Sequence, residues 1–276
     1  MRSCKLPSGA EMPVLGLGTW RMGENARRRP DELDALKYGL DLGYPLIDTA
    51  EMYGEGGAEE IVGDALAGRS TRPFIVSKVY PHNASRAGTI AACERSLKRM
   101  RLERIDLYLL HWRGGAHIEE TFEAFHRLKD AGKIGDFGVS NFDLDDMQDA
   151  AKLDKGLNGT NQVLYCLSRR GPEFDLLPWM RKRSIPLMAY SPLDQGGLLR
   201  KASLKKLADD VGCTPAQLAL AWLLAQPGVV TIPKSSSRER VKENFAALQV
   251  KLTPKVLADL DRAFPPPRTK QPLEML

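Results

Sequence analysis

Short apolar runs alternate with helix-period segments along the whole chain of 276 residues, and no linker or low-complexity tract separates them. Eight runs are predicted as strands, with ends near Gly18, Asp48, Lys78, His111, Ser140, Tyr165, Ser191 and Pro233. The helical segments cover residues 31–42, 58–67, 86–100, 118–131, 144–152, 174–183, 215–225 and 238–248. This alternation favours a parallel sheet, because each return to the sheet needs a crossover helix. Eight such units predict an α/β fold, a (β/α)8 TIM barrel.

Three further elements complete the predicted fold. Residues 4–12, which turn at Pro7-Ser8-Gly9, predict an N-terminal β-hairpin. Residues 201–211 and 254–264 predict two additional helices, and a run of three prolines from Pro265 ends the second. Because the composition does not shift along the chain, we expect residues 1–276 to form a single domain.

A doubly wound dinucleotide-binding sheet is the alternative that also alternates strands and helices. Such sheets carry the pattern G-x-G-x-x-G after the first strand, where a helix begins. Here the segment from Gly16 to Arg21 has arginine in place of the third glycine, and no helix pattern starts there. The barrel is therefore the preferred prediction.

The charge pattern argues against nucleic acid as a partner. The net charge is only +5, and the basic clusters at 27–29, 169–170 and 181–183 are short, scattered and poor in aromatic neighbours. Binding grooves for nucleic acid instead gather their cations on one face. We interpret these clusters as solvated surface.

The cysteines, histidines and apolar segments indicate a reducing compartment, no metal and no membrane span. Cysteines 4, 93, 166 and 213 lack a C-x-x-C spacing, and those at 93 and 166 are predicted as reduced core residues. His82, His117 and His126 form no metal-binding pattern. The longest uncharged stretch, 211–233, is broken by prolines, and no apolar leader opens the chain. We expect a cytoplasmic protein.

Four polar side chains stand at or just beyond three neighbouring predicted strand ends: Asp48, Tyr53, Lys78 and His111. Active sites of βα barrels lie at this end of the strands. A phenol with a pKa of ~10 is a weak acid unless a cation stabilises its phenolate, which Lys78 can do while Asp48 balances the lysine. His111 can orient a substrate oxygen. Each residue alone has a structural interpretation, but together they predict a proton-transfer site.

Five motifs carry a resemblance to a known family. They are Asp48-Thr49-Ala50-Glu51-Met52-Tyr53-Gly54, Ser77-Lys78, Leu110-His111-Trp112, Gly138-Val139-Ser140-Asn141-Phe142 and Ile232-Pro233-Lys234-Ser235. In order and spacing the chain resembles the aldo-keto reductases, above all small bacterial members associated with methylglyoxal and other short aldehydes. The resemblance spans residues 16–244. It implies reduction of a small-molecule carbonyl by NADPH, with Tyr53 as general acid and His111 positioning the carbonyl, in a monomer.

The resemblance also implies where NADPH lies across the barrel mouth. Ser140, Asn141 and Gln162 would hold the nicotinamide carboxamide, with Tyr190 stacked on the ring. The remaining cofactor residues would be Gly18, Thr19, Trp20, Ser191, Leu193, Lys234, Ser235, Arg240, Glu243 and Asn244. Within this set, Ser191 and Leu193 would flank the pyrophosphate, and Glu243 and Asn244 would lie near the adenine.

Two cations support NADP(H) over NAD(H) on physical grounds. Lys234 follows the last predicted strand, and Arg240 lies in the first turns of the next helix. Cations beside a helix amino terminus make a phosphate site, which here would take the 2′-phosphate. The Ser235-Ser236-Ser237 run could also serve only as a helix cap, and of the three we assign cofactor contact to Ser235 alone.

The substrate side is predicted to be apolar and open. Trp20 and Trp112 directly follow rim positions and are predicted as pocket walls. The loop at 113–116 and the tail at 265–276 are short, and Gly54 continues with Glu-Gly-Gly where family members often have Asn-Glu. We expect broad specificity for small aldehydes, dicarbonyls such as methylglyoxal and some aromatic aldehydes, over bulky steroids.

Two rival functions remain open from the sequence. Some proteins of this fold serve as non-catalytic nucleotide-sensing regulatory subunits, although the complete set of four polar residues argues against lost activity. A barrel isomerase or hydrolase without a nicotinamide cofactor would leave Lys234 and Arg240 unexplained.

Overall fold

The computed structural model describes residues 2–276, and Met1 lies outside the described residues. The strands are β1 (Ser3–Lys5), β2 (Glu11–Pro13), β3 (Leu17–Gly18), β4 (Leu46–Asp48), β5 (Phe74–Val79), β6 (Ile105–Leu110), β7 (Ile134–Ser140), β8 (Asn158–Leu164), β9 (Leu187–Tyr190) and β10 (Val229–Thr231). The α-helices are α1 (Arg29–Leu42), α2 (Gly57–Leu66), α3 (Arg86–Met100), α4 (Ile118–Asp130), α5 (Leu144–Ala150), α6 (Leu176–Arg181), α7 (Ala202–Val211), α8 (Pro215–Ala225), α9 (Arg238–Ala246) and α10 (Pro254–Ala263).

Strands β3 to β10 form one parallel sheet in which every strand pairs with its neighbour in the chain. Backbone hydrogen bonds also join the two ends of this sheet. Gly16 donates to Thr231 O at 2.9 Å, and Gly18 donates to Pro233 O at 3.1 Å. The sheet therefore curls back on itself in a TIM-barrel-like fold, which confirms the α/β, TIM-barrel-like part of the prediction.

The N-terminal hairpin covers the amino-terminal end of the barrel. Its strands pair antiparallel, and the turn residue Ser8 donates to Asp136, near the start of β7, at 2.7 Å. Leu6 and Met12 are buried in the same apolar cluster as Leu46 and Val230 from the sheet. Burial of these side chains closes the barrel at the end away from the predicted site.

Predicted and observed helices agree closely in position. Residues 86–100 and 215–225 match α3 and α8 residue for residue. Thr214 explains the sharp start of α8, because its side chain and that of Gln217 form a capping box. The segment predicted at 174–183 is shorter, because a 3-10 turn at Gly171–Glu173 precedes α6.

The remaining structural expectations concern cysteines and membrane helices. Cys93 and Cys166 are buried and unbonded to other cysteines, as predicted. Across residues 2–276, no helix combines the length and apolar character needed to cross a membrane.

Candidate active site

A buried ion pair lies at the centre of the site. Asp48 ends β4 and Lys78 lies near the end of the adjacent β5. The Lys78 Nζ donates to both Asp48 carboxylate oxygens, at 2.9 and 2.8 Å, and to Thr49 O at 2.8 Å. Lys78 is fully buried and Asp48 nearly so. A lysine with no contact to water keeps its charge only when such partners surround it, so the charge of Lys78 depends on Asp48 and Thr49.

Tyr53 is held beside this pair by a tight turn. It begins a 3-10 turn in which Gly54, Glu55 and Gly56 all have left-handed backbone angles, with φ of 57°, 53° and 96°. A Cβ at position 54 would lie 2.8 Å from the backbone of Gly23, so glycine is needed there. The Tyr53 hydroxyl lies 3.4 Å from the Lys78 Nζ. The phenol therefore lies next to the Lys78 ammonium group of the ion pair.

His111 forms the opposite side of the same cluster. It follows β6, its ring centroid lies 5.6 Å from that of Tyr53, and the two rings meet edge to face. Burial lowers the pKa of His111 well below its ordinary value, and the nearby Lys78 charge lowers it further. The imidazole is thus neutral at neutral pH and can act as a hydrogen-bond donor toward a carbonyl oxygen.

Burial sets the protonation states of the other three groups. It raises the pKa of Asp48 and lowers that of Lys78, while the attraction between them opposes both shifts. Burial also raises the pKa of Tyr53 well above its ordinary value, and the Asp48 charge adds to this. Tyr53 therefore keeps its proton in the resting site and can donate it as an acid.

We expect the neutral state of His111 to make stability depend on pH. The unfolded chain binds a proton near pH 6.5, the ordinary histidine pKa, whereas the native imidazole does so only at a lower pH. The contribution is thus complete above pH 6.5 and is lost as the pH falls below it. The free energy of unfolding in urea should fall less between pH 7.5 and 5 in His111→Gln than in wild type. His82→Gln, at an exposed position, serves as the control, and equal slopes in His111→Gln and wild type would contradict this account.

Gln162 and Thr19 have contacts that the sequence did not suggest. The Gln162 Nε2 donates to the Asp48 carboxylate at 2.7 Å, so this side chain also supports the ion pair. Thr19 is fully buried, and its hydroxyl donates to Asp48 O at 3.0 Å. Thr19 does not line either cavity described below, in contrast to the predicted cofactor contact. Successive side chains of a strand point to opposite faces of the sheet, and this alternation along β8 is the signal that could have placed Gln162 inside the barrel.

Three polar side chains form a hydrogen-bonded shelf beside the cluster. The Tyr190 hydroxyl donates to the Asn141 side-chain oxygen at 2.9 Å. The Asn141 amide donates to His111 O at 3.1 Å, and the Ser140 hydroxyl donates to Gln162 O at 2.8 Å. Asn141 has a left-handed φ of 58°, which turns the chain sharply after β7. The shelf therefore connects the ends of β7, β8 and β9 to His111.

A cavity of about 130 Å³ joins these groups to apolar walls. Its lining comprises Gly18, Trp20, Asp48, Met52, Tyr53, His111, Trp112, Ser140, Asn141, Gln162, Tyr190, Ser191, Pro192, Ile232, Lys234, Met275 and Leu276. The presence of Met275 and Leu276 corrects one expectation. The tail is short, but it reaches the cavity and closes one side of it, because it folds back over the carboxyl ends of the strands.

A larger groove of about 950 Å³ adjoins the cavity and shares Trp20, Ser191, Pro192 and Lys234 with it. The predicted residues Leu193, Ser235, Arg240, Glu243 and Asn244 line this groove. Arg21 and Arg28 line it too, and sequence reasoning missed both. Arg28 belongs to a basic run that had been interpreted as solvated surface, and nothing in its spacing pointed to the groove.

The fold and this arrangement agree with comparisons against known proteins. A profile of the aldo/keto reductase family matches residues 14–264, and the chain belongs to that family. It is 48% identical to methylglyoxal reductase YeaE of Escherichia coli (strain K12) over 271 residues, covering 96% of this chain and 95% of that protein. It is 35% identical to a glyoxal reductase of Bacillus subtilis (strain 168), covering 93% and 91% respectively. Both names describe reductases, and neither supports a regulatory subunit.

A solved structure shows the same architecture. An aldo-keto reductase from Klebsiella pneumoniae, crystallised in complex with NADPH, superposes with a TM-score of 0.95 and is 47% identical, covering all of this chain and 99% of that one. The family resemblance drawn from the five motifs is thereby confirmed, and the chain is an oxidoreductase.

Proposed function

We propose that this protein reduces small aldehydes and ketones to alcohols with NADPH, and that Tyr53 donates the proton. The observation that carries the proposal is the position of the Tyr53 hydroxyl, 3.4 Å from a buried lysine that Asp48 holds, on the wall of a cavity. A proton donor with an adjacent cation suits carbonyl reduction, in which the carbonyl oxygen gains a proton as the carbon gains a hydride.

Each of the four polar residues has a separate role in this reaction. The neutral His111 donates a hydrogen bond to the substrate carbonyl oxygen and orients its carbon toward the nicotinamide. Bound NADPH supplies the hydride to that carbon. As negative charge develops on the oxygen, Tyr53 transfers its hydroxyl proton there, and the alcohol forms. Lys78 stabilises the phenolate left behind, while Asp48 keeps the lysine charged and in place.

The groove fits the phosphates of NADPH. Burial lowers the pKa of Lys234, and the neighbouring Arg28 and Arg21 lower it further, while Glu32 and Glu24 act against this shift. A phosphate dianion would relieve that repulsion. We assign the 2′-phosphate to Lys234, Ser235 and Arg240, and the pyrophosphate to Ser191 and Leu193. Ser140, Asn141 and Gln162 would hold the nicotinamide carboxamide, Gly18, Trp20 and Tyr190 would lie around the ring, and Glu243 and Asn244 would lie near the adenine.

Arg240→Ala should weaken NADPH binding by about 10- to 100-fold while NADH binding changes little. The reason is that only NADPH carries the 2′-phosphate that the guanidinium would hold, and a charge-assisted hydrogen bond contributes about 1.5–3 kcal/mol. Dissociation constants for both cofactors can be measured by quenching of tryptophan fluorescence.

Arg238→Ala is the matched control for this experiment. Arg238 lies on the same helix, but it stacks on Tyr38, 4.3 Å from the ring centroid, and pairs with Asp34. Its loss should leave both dissociation constants unchanged. Equal weakening of NADPH and NADH by Arg240→Ala would refute the 2′-phosphate assignment.

We propose that the substrates are small and uncharged near the reacting carbon, as in methylglyoxal. The cavity walls include Trp20, Met52, Trp112, Met275 and Leu276, and the Lys78 charge is already matched by Asp48. Lys78 does not line the cavity, and the one lysine or arginine among the described lining residues is Lys234, which we assign to the cofactor. A substrate carboxylate beside Asp48 would therefore be buried without a partner.

Methyl pyruvate should accordingly be reduced with a kcat/KM on the order of 100-fold higher than pyruvate, which corresponds to about 2.7 kcal/mol. The two compounds share the ketone and differ in the charge next to it, and the ratio of their uncatalysed rates of reduction by borohydride corrects for the greater electrophilicity of the ester. Steady-state oxidation of NADPH gives both constants. A preference for pyruvate would show that a cation of the protein reaches the substrate.

We further propose that residues 1–276 act as one domain, as a monomer in the cytoplasm. Hydrogen bonding around the sheet, which runs without a break from β3 to β10, supports a single unit.

A further inference from the structure

Arg169 and Arg170 contact the C-terminal tail. From the sequence alone, this pair is interpreted as solvated surface. Arg170 is buried, and it donates to Asp261 at 2.7 Å and to Phe264 O at 2.6 Å. These contacts are at the point where the chain leaves α10. Arg170 also makes two hydrogen bonds to Glu173, at 2.7 and 2.8 Å. It therefore fastens the start of the tail to the turn that follows β8.

Arg169 contacts the far end of the same tail. Its Nη1 donates to Glu274 at 2.7 Å, directly before Met275 and Leu276, which line the catalytic cavity. Backbone hydrogen bonds in both directions between Cys166 and Arg169 form a tight turn at this position. Along the tail, Lys270 lies 3.7 Å from Asp175. The tail is thus secured near both ends over the cavity.

Arg169 also contacts the loop at residues 191–196, named here the groove loop. Its Nε donates to Asp194 at 3.4 Å, and the Ser168 hydroxyl donates to the other Asp194 oxygen at 3.1 Å. Asp194 itself lines neither the cavity nor the groove, whereas its neighbours Leu193 and Gln195 line the groove. Arg169 is therefore one side chain that contacts residues directly adjacent to lining residues of both the groove and the cavity.

The groove loop has a backbone that depends on such contacts. Ser191, Asp194 and Gln195 all have left-handed φ angles, of 45°, 50° and 50°. Left-handed conformations of residues other than glycine are unfavourable and persist only where the surroundings hold them. Occupation of the groove at Leu193 and Gln195 would thus be transmitted to Asp194, and through it to Arg169.

We propose that Arg169 is a positioning residue that couples cofactor binding to the position of the tail at the substrate cavity. This inference rests on the proposed function, because it takes the groove as the cofactor site. When the groove is filled, Asp194 fixes Arg169, and Arg169 fixes Glu274, so that Met275 and Leu276 complete the substrate wall. The substrate site is then best formed in the cofactor complex.

Hydrogen–deuterium exchange tests the coupling without requiring turnover. Addition of NADPH to wild type should slow exchange of backbone amides in residues 270–276. In Arg169→Gln this protection of the tail should disappear, while protection of the groove itself remains. Unchanged tail protection in Arg169→Gln would overturn the proposal. Absence of any NADPH-dependent protection in wild-type groove residues would instead refute the cofactor assignment.

Steady-state kinetics provide a second test that a merely structural role would not satisfy. Asp194→Asn and Glu274→Gln should each raise the KM for methylglyoxal about two- to fivefold with little change in kcat, since partly exposed ion pairs contribute modestly. The double variant should be no worse than either single one, because both break the same connection. Additive effects, or an effect of Asp194→Asn on NADPH affinity alone, would overturn the coupling.

Lys133→Gln supplies the matched control. Lys133 forms a comparable exposed ion pair with Glu94, and its backbone pairs with the first residue of β6, at the opposite end of the barrel from the cavity. It should alter neither tail exchange nor KM. Thermal unfolding midpoints of all variants establish that the Arg169, Asp194 and Glu274 substitutions leave the fold intact.

Discussion

Tyr53→Phe should lower kcat for aldehyde reduction by about 10²- to 10⁴-fold, the range that a positioned general acid contributes. The substitution removes a single oxygen atom, whose proton we assign to the product alcohol, and leaves the ring against His111. The dissociation constant for NADPH should change little, because the groove does not include Tyr53. Single-turnover measurements with saturating NADPH separate the chemical step from cofactor binding.

The control for this substitution is Tyr38→Phe, at a half-buried position of α1 that lines neither the cavity nor the groove. It removes the same atom from a tyrosine remote from the cavity, and it should leave kcat and KM unchanged. If Tyr53→Phe retained more than about a tenth of the wild-type kcat, a different group would have to be the proton donor.

Asp48→Asn and Lys78→Met should each destabilise the protein by about 3–5 kcal/mol, because each leaves the other charge buried without its partner. The contacts at 2.9 and 2.8 Å between the two side chains, together with the complete burial of Lys78, place this pair in the class where such losses are large. Both variants should also lose catalysis, since Lys78→Met removes the cation beside Tyr53 and Asp48→Asn leaves the buried lysine without the carboxylate that keeps it charged. Urea unfolding monitored by circular dichroism measures the free energy.

The double variant Asp48→Asn/Lys78→Met distinguishes the pair from two independent sites. With both charges removed, its loss of stability should be well below the sum of the single losses. Its activity should nevertheless stay low, because no cation remains beside the phenol. Additive destabilisation would mean that the two groups do not depend on each other in the native state.

Much of the fold could be predicted because it follows from local pattern. The ends of the runs at Asp48 and Lys78 mark where buried strands meet solvent, and parallel strands bring those ends to one edge. Helix ends were accurate where a cap fixes them, as Thr214 does for α8. They were less accurate near 174–183, where a 3-10 turn ends at Glu173 and α6 covers only Leu176–Arg181.

The contacts that sequence reasoning missed depend on three-dimensional packing between distant segments. Arg170 bonds to Asp261 and Phe264, which follow it by 91 and 94 positions in the chain. No periodicity in the sequence could therefore have distinguished it from a solvated arginine. The same holds for the tail, whose shortness suggested an open cavity although Met275 and Leu276 reach its wall. Gln162 was assigned to the cofactor from family resemblance, and its hydrogen bond to Asp48 became apparent only in the folded chain.

The most direct test of the proposed reaction uses NADPH in which both hydrogens on the carbon that donates the hydride are deuterium. Purified protein is incubated with this cofactor and methylglyoxal, and the product is analysed by mass spectrometry. Direct transfer predicts one carbon-bound deuterium in each molecule of alcohol formed, and almost no product with Tyr53→Phe. Absence of alcohol, or alcohol that carries no deuterium, would contradict the assignment of this site to carbonyl reduction.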